Sequence, residues 1–581
     1  MGELLRAFLP PYRKKTLTGM ACKAVEVVFD LITPMIVARM IDSGVANRDL
    51  GVVFRLGALL VVLALIGYLF TFVCQRLAAT VSQGMGTDIR DALYHHIGEL
   101  GAADIDRFGT PSLVTRVTND VNQIQVAIAM GIRMLIRWPF IALGSIVAAL
   151  LIDARLGLVF LVCTPAIAAV FWVVMGRSIP LFRAIQVKLD TVSRITRETL
   201  EGVRVVRAFG REGEEERRFA LAARDQTDTA IAVGRLSAVL NPVTFLIMNL
   251  GVVAILWTGA YRVDAGSLTQ GEVMAFVNYM TQVLVSIGYV ANLVVVFTRG
   301  SASATRVMEV LKEEPSIADG SLNVSQADIN ERAVPALSFE DVSFSYGGEG
   351  ERALSHVSFE LPAGSTLGVI GGTGSGKSTL ASLAVRLYDP VEGKIAAWGE
   401  PLPTYELKSL RSLVSIVPQR ASLLSGTVRS NLSWRKPQAT DDELWEALSC
   451  AQAKDVVSSK EGGLDAPVEA GGTNFSGGQR QRLTIARALV GDPRVVVLDD
   501  SASALDYATD ARLRKALKDL PNHPAAIIVS QRVAAVMSAD QILVLDHGRV
   551  AGLGTHDDLL RSCDIYREIC LSQLKPEEVG A

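Results

Sequence analysis

Apolar residues gather in six long blocks before about residue 300, and beyond that point the apolar runs shorten and alternate with turn residues. The blocks are Leu17–Ile41, Val53–Leu77, Ala127–Ile152, Leu156–Ile179, Val239–Tyr261 and Val273–Phe297, each offering about the 20 residues a helix needs to cross a bilayer. Six membrane-spanning helices are the expectation. The intervals around 80–126 and 180–238 stay rich in helix formers and are too long for structureless loops, so the helices are expected to run on past the membrane as stalks.

Positive charge then sets the orientation. Arg6, Arg13, Lys14 and Lys15 precede the first block, and ten basic residues from Arg183 to Arg224 lie between the fourth and fifth, whereas Asn47–Leu50, Asp153–Arg155 and Arg262–Thr269 carry one Arg each. The basic segments belong inside, which places both termini in the cytoplasm and the chain in the cytoplasmic (inner) cell membrane. The start, Met1–Arg6, has no secretory cleavage site, so targeting falls to the spans themselves.

Between Glu313 and Pro335 the chain is polar, carries two prolines and shows no sustained apolar period. This predicts a helical membrane domain over 1–312, a linker over 313–337 and a soluble α/β domain over 338–581.

Composition agrees with that division. Hydrophobic residues are 50% of the 581, charged residues 20%, and the mean hydropathy is +0.32, too little polar cover for a soluble protein of this size. A net charge of −3 leaves no concentrated positive surface for a phosphate backbone, so nucleic acid is excluded as a partner. Six scattered cysteines without a CxxC spacing give neither a disulfide framework nor a zinc site.

The chemistry lies in the second part. Gly371-Gly372-Thr373-Gly374-Ser375-Gly376-Lys377-Ser378 follows the apolar strand candidate Thr366–Ile370 and fits G-x-x-x-x-G-K-[ST], with Thr379 next in line. Glycines let successive N–H groups turn toward phosphates, and the following helix adds its positive N-terminus. Lys377 would reach the β- and γ-phosphates of ATP, and the Ser378 hydroxyl would help hold Mg²⁺. Val495–Asp499 reads as a buried strand delivering Asp499 to that metal. Ser476, Gly477, Gly478 and Gln479, opening a helix-like run, form a second phosphate-facing surface.

In this order and spacing the motifs resemble the ATP-binding cassette (ABC) superfamily, and nearly the whole chain resembles an exporter-type half-transporter. The resemblance implies an all-α six-helix transmembrane domain joined to an α/β P-loop ATPase domain with a helical subdomain. It also implies that Tyr346 stacks on adenine, that Gln419 links the metal site to the membrane domain, and that Asp506 lies at a dimer seam. Two cassettes would pack head to tail, each ATP lying between one phosphate loop and the other copy's signature motif. Glu201–Glu212 resembles the family's second coupling region, and Phe108–Asn122, with Asn119 and Asp120, its first.

Two positions depart from the family. A glutamate acting as general base is usual where Asp500 stands, and a histidine where Gln531 stands. The shorter carboxylate and the neutral amide imply a site that binds ATP and hydrolyses it poorly. The retained Ser476–Gln479 would complete a competent site on a homologous partner, as in the degenerate subunit of bacterial heterodimeric multidrug-type exporters. The alternatives are a homodimer with two weak ATPase sites, or an ATP-gated regulator or channel-like protein. The transported small molecule, of drug, lipid or peptide class, is not named by the sequence. Lys23, Glu26 and Asp30, at i, i+3 and i+7 on one face of the first span, would either line a path for cations or pair among themselves.

Overall fold

The computed structural model describes residues 1–325, 329, 334–347, 350–501 and 503–574. They form two compact units, residues 1–96 with 111–313, and residues 97–110 with 314–581.

The first unit is helical: α1 (Arg13–Arg39), α2 (Leu50–Glu99), α3 (Val121–Met134), α4 (Arg137–Ile152), α5 (Ala154–Glu201), α6 (Glu212–Ala238), α7 (Leu240–Asp264) and α8 (Gln270–Leu311). Helices α2, α5 and α8 have 50, 48 and 42 residues, so at about 1.5 Å per residue each is roughly twice as long as a ~30 Å hydrocarbon layer. Their ends are set by local chemistry. Thr269 and Glu272 form a reciprocal capping box at the start of α8, and the Asp153 carboxylate accepts from the N–H groups of Arg155 and Leu156 at the start of α5. Phe160 on α5, Ile255 on α7, and Phe276, Tyr279, Met280 and Val283 on α8 are fully buried together. Gly251 and Gly259 allow that approach, since a Cβ on either would stand 2.9 Å from Cys163 Sγ or from Val273.

Five helical stretches among the described residues are long and apolar enough to cross a membrane: Leu50–Glu99, Thr110–Ile152, Ala154–Glu201, Glu212–Asp264 and Gln270–Leu311. The expected first span falls on α1 and is not among them. Lys23, Glu26 and Asp30 dilute its apolar character, and the structure uses all three in pairing. Lys23 Nζ lies 2.6 Å from Glu26, Arg137 of α4 also meets Glu26, and Arg137 reaches Asp30 at 3.0 Å.

The expected first coupling region, Phe108–Asn122, is divided between the two units. Residues 97–110 cluster with the second unit, where Tyr388 OH donates to Asp106 at 2.5 Å and Ser316 N–H donates to Asp104 at 2.8 Å. Asp120, by contrast, is held inside the first unit: Arg306 Nε and Ser303 Oγ of α8 donate to it at 2.8 and 2.9 Å. Burial alone would raise the Asp120 pKa, but the bonds from Arg306 and Ser303 outweigh it and hold the carboxyl below its ordinary range. A depressed carboxyl contributes stability that is present above its unfolded value, about pH 4, and is lost as acid protonates it. Asp120→Asn is therefore expected to cost about 1.5–3 kcal/mol at neutral pH. The difference in Tm from the parent should close as a pH series descends below about 4; a gap that persists in acid would refute the assignment.

The second unit contains two larger sheets. β2 (Leu354–Leu361), β1 (Leu337–Phe344), β4 (Glu392–Ala397) and β5 (Glu400–Pro401) form an antiparallel sheet. The other has the order β12 (Arg549–Gly554), β11 (Gln541–Asp546), β3 (Thr366–Gly371), β10 (Ala525–Val529), β9 (Val495–Asp499) and β6 (Val414–Val417), parallel except for β12. β9 and β10 are buried at every position, which explains their unbroken apolar runs. A short ribbon pairs β7 (Gly426–Thr427) with β8 (Pro467–Val468) beside the helices of Asp441–Cys450 and Gly477–Leu489.

Part of the interval 313–337 is packed against the second unit. Ile317 and Val324 are buried, and Val324 N–H donates to Ser409 Oγ at 3.0 Å. Residues 326–328 and 330–333 of the expected linker lie outside the described residues.

Candidate nucleotide-binding site

β3 ends at Gly371, and α9 (Lys377–Ala384) begins six residues later. Gly371 is forced by proximity, because a Cβ there would lie 2.1 Å from the Leu545 carbonyl oxygen. Gly376 is forced twice: its φ is +95°, and a Cβ would meet the Ala353 carbonyl oxygen at 2.5 Å. Gly372 and Gly374, with Thr373 between them, line the open side, where a Cβ would meet nothing within 4 Å. Lys377 Nζ donates to the carbonyls of Gly371 at 3.0 Å and Gly372 at 2.6 Å, and approaches Ser375 Oγ at 3.3 Å. The loop is thus curled around its own ammonium. Burial lowers the Lys377 pKa, offset in part by the charges of Asp500 and Asp499.

Parallel pairing delivers the carboxylates. Val529 of β10 sits opposite Asp499 on one side and Val369 on the other, so the ends of β9, β10 and β3 are level. Ser378 Oγ donates to Asp499 Oδ1 at 3.0 Å. Burial raises the pKa of Asp499, and the neighbouring charge of Asp500 adds to the rise while Ser378 opposes it. Burial also raises that of Asp500, whose only side-chain hydrogen bond among the described residues is a loose one, from Gln419 Nε2 at 3.5 Å. Asp500 has φ +44° and is pinned through its N–H to the Val529 carbonyl at 2.9 Å.

This donor set fits ATP with Mg²⁺. The loop presents open backbone N–H groups at a helix N-terminus, and Ser378 and Asp499 offer two hard oxygen ligands of the number Mg²⁺ takes from protein when phosphates supply others. When bound, the metal would draw charge from the phosphate oxygens. No group of three or more His, Cys, Asp or Glu able to hold a metal occurs among the described residues.

Tyr346 is half exposed, its OH within 3.2 Å of Thr379 Oγ1, and its ring stands edge-on to Phe344 and Tyr388 at 4.9 and 5.5 Å. It therefore flanks the start of α9 with half of its surface exposed. Asp506 caps α11 (Tyr507–Lys518) by accepting from Thr509 N–H at 2.9 Å, a local role within this chain. Gln531 is exposed in the loop after β10, where Ser530 N–H donates to Val369 at 3.0 Å.

Ser476 and Gln479 form a reciprocal capping box at the start of α10 (Gly477–Leu489). Phe475 is buried, with Lys460 Nζ 4.9 Å over its ring. Arg480 bonds the carbonyls of Gly472 and Phe475, and Gly478 leaves room for the Ala504 carbonyl, 3.0 Å from where a Cβ would stand. Phosphate loop, Asp499, Asp500, Gln419 and Tyr346 are linked by these contacts, whereas Ser476–Gln479 open a different helix whose capping bonds are local. Sequence reasoning missed Tyr388, whose ring packs on Tyr346, and Arg480, which bonds backbone carbonyls; such contacts leave no motif.

Comparison with known proteins agrees with this geometry. Residues 16–287 match the ABC transporter transmembrane region, and residues 354–503 match the ABC transporter family model. An uncharacterized ABC transporter ATP-binding protein of Mycobacterium tuberculosis is 36% identical over 580 residues, 99% of each chain. One of Bacillus subtilis is 34% identical over 571 residues, 98% of each. The structure of a bacterial Atm1-family ABC exporter with ATP bound superposes with a TM-score of 0.76 at 25% identity, covering 98% of this chain and 99% of that one. This chain belongs to the ABC transporter family, as an exporter-type half-transporter with its membrane domain fused to one ATP-binding domain.

Proposed function

We propose that this chain is the ATP-clamping half of a heterodimeric exporter that moves a small molecule of drug, lipid or peptide class across the cytoplasmic membrane. Six spans, α1 included, would form its half of the pathway. Its own phosphate loop, Lys377, Ser378, Asp499 and Tyr346 hold Mg²⁺-ATP; its Ser476–Gln479 complete the hydrolysing site of the partner.

The observation that carries this reading is Asp500. Its carboxylate is one methylene shorter than a glutamate, and its N–H bond to the Val529 carbonyl ties its backbone to β10, which opposes recovery of the reach by a shift of the loop. A misplacement of about 1 Å can cost a hundredfold in rate. Gln531 adds to the deficit, since a neutral amide cannot become a cation beside a developing phosphate charge.

Photo-crosslinkable ATP supplied to the co-purified pair during turnover is expected to remain on this chain as triphosphate while the partner accumulates diphosphate. Rapid conversion to diphosphate on this chain, or brisk hydrolysis by this chain purified alone, would falsify the reading.

A further inference from the structure

The loop that carries Gln531 is held from behind by a side chain far along the sequence. Gln573, the last residue of α12 (Asp564–Gln573), donates from Nε2 to the Gln531 carbonyl at 2.8 Å and accepts from the Val533 N–H at 2.9 Å through Oε1. One amide thus satisfies an acceptor and a donor two residues apart, as an adjacent strand would. Helix α12 is firmly seated, because Tyr566 and Cys570 are fully buried in the same core as Val533 and Val536.

From that loop, contacts run to the nucleotide site in two directions. Ser530 N–H bonds Val369, two residues before the phosphate loop begins. Arg532 donates to the Ser503 carbonyl at 3.2 Å, and the Ser503 hydroxyl donates to the Asp500 carbonyl at 2.8 Å. A change in how α12 grips the loop must therefore bear on both β3 and Asp500.

The geometry points to Gln573 as a positioning residue for nucleotide retention, a latch by which the C-terminal helix sets how long ATP stays in this chain's site. Whether the site hydrolyses its ATP or only clamps it makes no difference to this role. Coupling of this kind is reciprocal in binding free energy: if the latch strengthens ATP binding by slowing its release, bound ATP must tighten the latch by the same factor.

The two halves of the contact can be removed separately. Gln573→Glu keeps an acceptor for Val533 and loses the donor to Gln531; Gln573→Lys keeps a donor and loses the acceptor; Gln573→Ala loses both. With the purified full chain, Mg²⁺ and a fluorescent mant-ATP probe, release from Gln573→Ala is expected to be about tenfold faster than from the parent, and from the single-half variants about threefold faster. Hydrogen exchange at the Val533 amide should slow when ATP is added to the parent and not when it is added to Gln573→Ala. A merely structural contact would lower Tm without changing release. Parent-like release from Gln573→Ala, or a Val533 amide indifferent to ATP in the parent, overturns the proposal.

Discussion

In the co-expressed pair, changing the partner's glutamate at the position matching Asp500 to Gln is expected to cut ATP turnover by about a hundredfold or more, while Asp500→Ala leaves it within about threefold. The asymmetry follows from which carboxylate is placed to take a proton from water. Burial raises the pKa of Asp500, which would suit a base, but geometry takes precedence over pKa: the carboxylate must first reach the attacking water. Here the chain holds Asp500 by its backbone N–H and by a loose contact with Gln419, and neither moves its oxygens outward. Steady-state ATPase of the two variant pairs, with nucleotide binding checked so that loss of turnover is not loss of ATP, decides the matter. Equal losses from both changes would mean two equivalent sites and would remove the case for a dedicated clamping subunit.

The second large effect concerns stability. Glu26→Ala is expected to lower the stability of the helical unit by about 3–5 kcal/mol, because it strands the buried Lys23 ammonium and takes one of two carboxylate partners from the partly buried Arg137. Glu26 is 7% exposed and lies between Lys23, itself 4% exposed, and Arg137. Deleting the shared carboxylate leaves Lys23 without its partner and Arg137 with Asp30 alone. The double change Lys23→Met with Glu26→Gln removes one charge of each sign and keeps the Arg137–Asp30 pair, so it should recover most of the loss. Tm and folded yield in detergent report both results. An unchanged melting profile for Glu26→Ala would mean that water or lipid headgroups already serve these charges, reopening the view that they line a path.

How much of this was legible in the residues depends on where the cause lies. The phosphate loop could be read because glycine is required by contacts a Cβ would make, as at Gly371 and Gly376, and such requirements leave a fixed spacing. β9 was legible because a strand buried on both faces must be continuously apolar up to the point where it delivers Asp499. The charges on α1 were legible as a face but not as a network, since Arg137 lies more than a hundred residues away and only helix packing brings it to Glu26. The partners of Asp120 were illegible for the same reason: Ser303 and Arg306 belong to α8. Gln573 was invisible because it bonds backbone groups, which every residue possesses.

The short segment 97–110, which folds with the second unit though it is encoded amid the membrane helices, has a practical consequence for dissection of the molecule. A soluble fragment cut near residue 314 leaves behind the acceptors that Tyr388 and the Ser316 amide use, Asp106 and Asp104. Such a fragment is an incomplete body with an unhealed surface. Crystals, melting curves or nucleotide affinities obtained from it would describe a damaged object unless that missing peptide is grafted back or supplied in trans.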